Sequence, residues 1–408
     1  HRRRHHDQVH PLLRLNVGES YSCPSGGVIA DGRQRSLKFS DITLTASDGF
    51  VPTAAAGQPL MLELHGSGTN PLQVGAFWRA TMLSDLAYGA DDELYWAART
   101  RTGATGVVYT SVMPRDRHPD NNDGAINFNS YHMGWTDNSE SPKVMNLIQE
   151  RRMTELLAWV DRQYPQFSKT KRYMTGASVG AWATMTYGIR RPDVFAAIYP
   201  DRPRVRYSST GAPYITIPDW QSGQITYDNT GVVPLKSAID GGGSMADHMN
   251  ILAYVANTAH RIPWVGWVIG KNDGYMPWQD QVDFIAAMRT AKRGFAVAWN
   301  LGNHSTGPSP TTITDSYYPG LFEIGVGYPL LTNNSADNNP ATDDMGGINL
   351  GFKWRNVVES AAGWSCEITN ILGARTVTVE PISPVFSATV TPQNISIPAA
   401  NSWVSVSF

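Results

Sequence analysis

Two textures alternate along the chain between residues 59 and 307. Short apolar runs of strand length recur: PLMLELHGSG (59–68), TGVVYTSVMP (105–114), VFAAIYPD (194–201), IPWVGWVIGKNDG (262–274) and FAVAWNLGNHSTG (295–307). They carry no polar alternation, as expected of strands buried on both faces. Between them lie segments with apolar residues at three- and four-residue intervals. These are SPKVMNLIQERRMTELLAWVDRQYPQF (141–167), MADHMNILAYVANTAH (245–260) and WQDQVDFIAAMRTAKRG (278–294), and each predicts an amphipathic helix. The Ser-Pro that opens the first is a helix start signal. Strands alternating with helices predict an α/β fold, a mostly parallel central sheet with helices on both faces.

Four stretches break this rhythm. Residues 1–58 are interrupted by Gly, Pro and Ser and hold one strand-like alternation, LKFSDITLTA, so they read as a leader and a β-rich entry segment. Residues 115–140 and 201–243 are polar, aromatic and punctuated by Gly and Pro, and loops of that length in a compact domain serve as lids or binding loops. Beyond about residue 345, Val, Thr, Ile and Ser alternate with no helical period, which predicts a small β-sandwich-like domain. The expected division is therefore 1–58, then 59–345 with its two insertions, then 346–408. The Asn- and Asp-rich stretch NNSADNNPATDDMGG (333–347) lacks the spacing of an EF-hand loop and reads as a solvated connector.

Composition narrows the partners. A net charge of −2 over 408 residues gives no electrostatic case for nucleic acid or an anionic membrane. The exception is the basic leader HRRRHHDQVH, read as a solvated terminus. No apolar run approaches the roughly 20 residues that span a bilayer. The chain starts at His1 with neither initiator Met nor signal peptide, the look of a processed product, which points to a secreted or extracellular protein. Thirteen Trp and 17 Tyr suit an aromatic rim for a sugar or polymer ligand. The two cysteines, Cys23 and Cys366, permit one disulfide or two separate buried thiols.

The chemistry gathers at the strand ends. In KRYMTGASVGAWATMTYG a strand-like run meets a helix-like run at Gly176-Ala177-Ser178-Val179-Gly180. Small residues around a serine let a strand turn abruptly into a helix and leave the hydroxyl exposed at the sheet edge. The alternative for the same pattern is a helix N-terminus that Ser178 merely caps. Upstream, LELHGSG ends a strand where an oxyanion-hole loop belongs, with Gly66 or Ser67 and Val179 as backbone donors. His65 precedes the serine and reads as a residue of that loop rather than a base. Downstream, Asp273 in GKNDG and His304 in GNHS follow late strands and complete the order Ser, Asp, His. Asp247 and Asp280 are competing acids, and His248 and His260 competing bases; those histidines break the order and Asp280 falls within a helix.

The motifs LHGSG, GASVG, GKNDG and GNHS, in that order over residues 55–308, resemble the α/β-hydrolase superfamily. The pattern is most similar to secreted esterases and to its polyhydroxyalkanoate-depolymerase and feruloyl-esterase-like branch. That resemblance implies Ser178 as nucleophile, His304 as general base and Asp273 as the acid that orients it. It also implies Ser67 and Val179 as oxyanion donors and no metal or organic cofactor. The expected activity is hydrolysis of carboxylic esters, possibly polymer-borne, on a polysaccharide or polyester. His65, Trp135, Trp220 and Trp278 are the candidates for substrate contact. A serine peptidase of the same superfamily, and an inactive hydrolase fold serving as a binding component, are the rival readings.

Overall fold

A computed structural model describes residues 44–46, 55–64, 66, 94–102, 108–114, 135–136, 145–206, 215–217, 225–227, 245–308 and 321–408. In chain order the first strands are β1 (Leu44–Ala46), β2 (Gln58–Leu64), β3 (Leu94–Thr102), β4 (Val108–Pro114), β5 (Trp135–Thr136) and β6 (Met145–Asn146). Then come α1 (Ile148–Gln163), β7 (Phe167–Ala177), α2 (Val179–Thr186), β8 (Ala197–Asp201), β9 (Ile215–Ile217) and β10 (Ile225–Tyr227). Helices α3 (Met245–Met249) and α4 (Ile251–Ala256) precede β11 (Trp264–Gly270), α5 (Trp278–Thr290) and β12 (Phe295–Asn300). The remainder is β: β13 (Tyr328–Thr332), β14 (Gly346–Ile348), β15 (Phe352–Ser360), β16 (Gly363–Asn370), β17 (Arg375–Ile382), β18 (Gln393–Ile397) and β19 (Val404–Ser407).

One nine-stranded sheet organises the molecule, in the order β1-β3-β4-β2-β7-β8-β11-β12-β14. From β4 to β12 neighbouring strands are parallel. The antiparallel neighbours β3 and β14 flank this block. The continuous apolar runs follow from burial on both faces: every residue of β2, β8 and β11 is buried. Alternate residues feed two cores. Leu60, Met174, Ile198, Val265, Trp267 and Val297 pack on one side with Leu156 of α1, Met185 of α2 and Phe284 of α5. Met61, Tyr173, Tyr199, Trp264 and Ala298 face the other side, against aromatic and aliphatic residues of the C-terminal strands. A parallel sheet whose strand breaks at a serine into a helix is the α/β-hydrolase arrangement.

The C-terminal strands form two antiparallel sheets, β13-β17-β18 and β15-β16-β19, whose inner faces share the second core. The expected boundary at residue 345 is crossed in both directions: β13, before it, pairs with β17, while β14, after it, pairs with β12 of the main sheet. Hydrogen-bonding edges, rather than a change in composition, decide which layer a strand joins. The helix expected over 245–260 is two helices. Asn250 accepts a hydrogen bond from the N–H of Ala253 at 3.1 Å and so caps α4 afresh. Cys366 is a free thiol buried in the second core, where burial pushes its pKa up to about 12. Cys23 lies outside the described residues.

Candidate active site

Strand β7 ends at Ala177, and Ser178 carries φ 55° and ψ −115°, a left-handed turn that a β-carbon disfavours. What enforces it is close packing. A Cβ at Gly176 would lie 2.4 Å from the carbonyl oxygen of Gly180, so only glycine lets strand and helix close to this distance. The turn is anchored by the Ser178 N–H, which donates to the Asp201 carbonyl at 3.0 Å in the neighbouring strand. Ser178 occupies the N-cap position of α2, yet its hydroxyl makes no capping hydrogen bond. Instead Oγ lies 2.8 Å from Nε2 of His304. That contact separates the two readings of the serine motif: its hydroxyl faces an imidazole, not the helix it begins.

His304 sits in the loop after β12, and Nδ1 lies 2.6 Å from Oδ2 of Asp273. A carboxylate only accepts, so Nδ1 carries the proton and Nε2 is free to accept from the serine. Asp273 lies in the turn after β11 and is 4% exposed. Its other oxygen accepts from the N–H groups of Tyr275 (2.9 Å) and Met276 (3.2 Å), which leaves the buried carboxylate fully engaged. The His304 loop is internally tied as well. The Asn303 side-chain oxygen accepts from Ser305 N–H and Thr306 N–H at 2.8 and 3.1 Å, and Asn272 Nδ2 donates to the Leu301 carbonyl at 2.6 Å. The Tyr275 ring stands edge-on to His304, centroids 5.1 Å apart, and is itself 65% exposed.

Val179 is the first residue of α2, where a backbone N–H has no intrahelical acceptor. Leu64 of β2 is the register partner of Gly176. Gly66, two residues on, is therefore carried toward the level of Ser178. Ser67, His65 and Trp220 lie outside the described residues; Trp135 pairs with Asn146 in the short hairpin of β5 and β6. The indole N–H of Trp278 donates to the Pro340 carbonyl at 3.1 Å, and its ring packs against Trp299.

The competing acids and bases are engaged elsewhere. Asp280 pairs with Arg206 at 2.8 Å, and Asp247 stands on α3. His248 contacts Glu150 at 2.8 Å, and His260 stacks on Tyr254. Among the described residues no cluster of three or more His, Cys, Asp or Glu is placed to hold a metal. The acids of loop 333–347 are engaged: Asp343 accepts from Asn339 N–H at 2.9 Å and Asp337 from Asn349 N–H at 2.9 Å, while Arg289 reaches Asp337 at 3.2 Å and Lys271 reaches Asp344 at 3.6 Å.

Sequence reasoning missed the residues that follow β8. Asp201, the last residue of the expected strand 194–201 and the first of the expected insertion, does end a central strand and lies buried, but no role was given to it or to the arginines after it. The signal was present in DRPRVR, where arginines alternate at positions 202, 204 and 206 immediately after an apolar strand.

No family model matches the chain, and no curated protein matches it either. Among solved structures it is similar to the acylaminoacyl peptidase of Pyrococcus horikoshii, at 12% identity over 62% of this chain and 34% of that one, TM-score 0.37. The chain thus spans about a third of that peptidase's length. It is similar also to the fluorophosphonate-binding serine hydrolase F of Staphylococcus aureus (14% identity, 68% of this chain and 88% of that one, TM-score 0.37). A ferulic acid esterase matches at 17% identity over 61% and 79% of the two chains, with a TM-score of 0.35.

Proposed function

We propose that this protein is a serine hydrolase that cleaves carboxylic esters through an acyl-enzyme, with Ser178 as nucleophile, His304 as base and Asp273 as orienting acid. The observation that carries the reading is the continuous relay from Asp273 Oδ2 through the imidazole to Ser178 Oγ, at 2.6 and 2.8 Å. A serine hydroxyl is a poor nucleophile unless a positioned base takes its proton. Here Nε2 accepts that proton as Oγ bonds to the substrate carbonyl carbon, and the buried Asp273 carboxylate stabilises the imidazolium.

The carbonyl oxygen becomes an oxyanion that the N–H of Val179 and a donor from the loop after β2, Gly66 or Ser67, would receive. Each such donor accounts for about 100- to 1000-fold in rate. Collapse of the tetrahedral intermediate breaks the ester C–O bond, and His304 protonates the departing alcohol. Water, deprotonated by the same imidazole, then releases the acid and frees the serine. The aromatic-rich stretches 115–140 and 201–243 support a polysaccharide- or polyester-borne ester as substrate, since Tyr and Trp suit extended ligands.

A fluorophosphonate probe is expected to label Ser178, and Ser178→Ala to abolish labelling and lower ester turnover on the order of a million-fold. Wild-type protein that neither takes the label nor hydrolyses a short acyl ester would overturn the proposal. Amide cleavage at rates matching ester cleavage would move it to a peptidase.

A further inference from the structure

The chain leaves β8 as Asp201-Arg202-Pro203-Arg204-Val205-Arg206 and runs directly behind the two loops that bear His304 and Asp273. Its alternate arginines reach different pieces of the site. Arg202 Nη1 donates to the backbone carbonyl of His304 at 2.5 Å. Arg204 donates to the carbonyl of Tyr275 through Nη2 at 2.9 Å and Nε at 3.3 Å, in the turn whose N–H groups hold Asp273. Arg206 pairs with Asp280 and Asp283 at the start of α5, each at 2.8 Å. The strand that precedes them already accepts the Ser178 N–H through the Asp201 carbonyl.

Two features show that this arrangement is over-determined. Arg202 sits at φ 59°, a conformation costing about 1 kcal/mol or more for a residue with a β-carbon. Its N–H is fixed to the Val268 carbonyl of β11 at 2.8 Å. Gly307 closes the base loop over it: a Cβ there would stand 3.2 Å from Arg202 Nε, tighter than a guanidinium comfortably tolerates. Behind the imidazole loop, the Asp201 carboxylate lies 3.1 Å from Arg202 Nε as an ion pair that lacks hydrogen-bond alignment, so neither atom is hydrogen-bonded. The charged groups that act on Asp201 are Arg202, His304 and Asp273. Helix α2 contributes none.

We infer that Asp201–Arg204 is the positioning element of the catalytic base and its acid. Arg202 holds the His304 loop, Arg204 holds the Asp273 turn, and the Asp201 carbonyl holds the Ser178 N–H. The inference rests on the hydrolase reading above. Its physical content is geometric. Misplacing a reacting group by about 1 Å can cost on the order of 100-fold without weakening substrate binding.

The test uses the full chain carrying Arg202→Ala, Arg202→Lys or Arg204→Ala. It measures ester kcat and KM, fluorophosphonate labelling rate from pH 5 to 9, and melting temperature. Arg202→Ala and Arg204→Ala are expected to lower kcat and labelling rate about 10- to 100-fold, with KM within about twofold. Arg202→Lys, which keeps a donor for the His304 carbonyl, recovers part of that loss. Folded arginine variants with wild-type kcat would overturn the inference. If an alanine variant fails to fold, Arg202→Lys still decides, since its kcat is expected below wild type with KM unchanged. Wild-type protein inert to both probe and ester sinks the hydrolase reading instead.

Discussion

Asp201 is the residue whose energetics conflict most openly with stability. It is 5% exposed, and burial pushes its carboxyl from 3.8 up to about 6, against the opposing pull of Arg202 and His304. Folding therefore raises its proton affinity. Between about pH 4 and 6 the native state binds more protons than the unfolded chain, so stability falls as pH rises through that window. Above it the full cost applies, about 3 kcal/mol. Asp201→Asn is thus expected to be more stable than wild type by about that amount at pH 7, with the gap closing near pH 4.5. Urea denaturation at the two pH values checks this, and a variant less stable at pH 7 would refute it. Destabilising charges that persist in a buried site are the usual mark of function.

At the scale of elements, the elbow is a packing problem between one strand and one helix. The hydroxyl of Thr184, one turn into α2, donates to the Gly180 carbonyl at 2.8 Å, and that carbonyl faces the bare Cα of Gly176. Gly176→Ala would drive a methyl group into backbone that has no freedom to retreat. The expected result is at least 3 kcal/mol of destabilisation, about the size of a severe core or backbone lesion. A variant that still folded would lose fluorophosphonate labelling, because the turn presenting Ser178 would have opened. Native stability with normal labelling would show that the close approach is not required. The elements themselves were legible in sequence because buried parallel strands and amphipathic helices leave different periodicities. Their ends were less so: the helix expected over 141–167 is α1 at 148–163, since Phe167 already opens β7.

For the whole molecule, the C-terminal sandwich is a layer of the fold rather than an appendage. Phe322 couples the two: its carbonyl accepts from the Tyr173 hydroxyl at 2.7 Å, and its ring lies 4.7 Å from that of Trp264 and 4.9 Å from that of Trp354. Removing residues 346–408 would uncover Tyr173, Tyr199 and Trp264. Aromatic side chains bury roughly 150–250 Å² each, so at about 25 cal/mol per Å² the loss is on the order of 10 kcal/mol. That matches the entire stability of a typical domain. A chain ending at residue 345 is therefore expected to show no cooperative thermal transition by circular dichroism. Sharp unfolding of the truncated chain with labelling intact would mean that the sandwich is dispensable. Helices α1, α2, α4 and α5 all contribute to the core on the opposite side of the sheet. Among the described residues, then, strands rather than helices supply the second cover.

What the sequence determined by itself was local: where apolar runs end, where small residues permit a sharp turn, and in what order a serine, an aspartate and a histidine follow their strands. Those features depend on neighbours within a few residues, and periodicity records them. Only the tertiary structure decided that Ser178 faces an imidazole instead of capping α2. It alone decided that β13 and β14 exchange layers across residue 345, and that an arginine-bearing segment after β8 supports the acid and base loops. Each of these depends on contacts between residues as much as 126 positions apart, the separation of Ser178 and His304, and no local pattern encodes such a pairing.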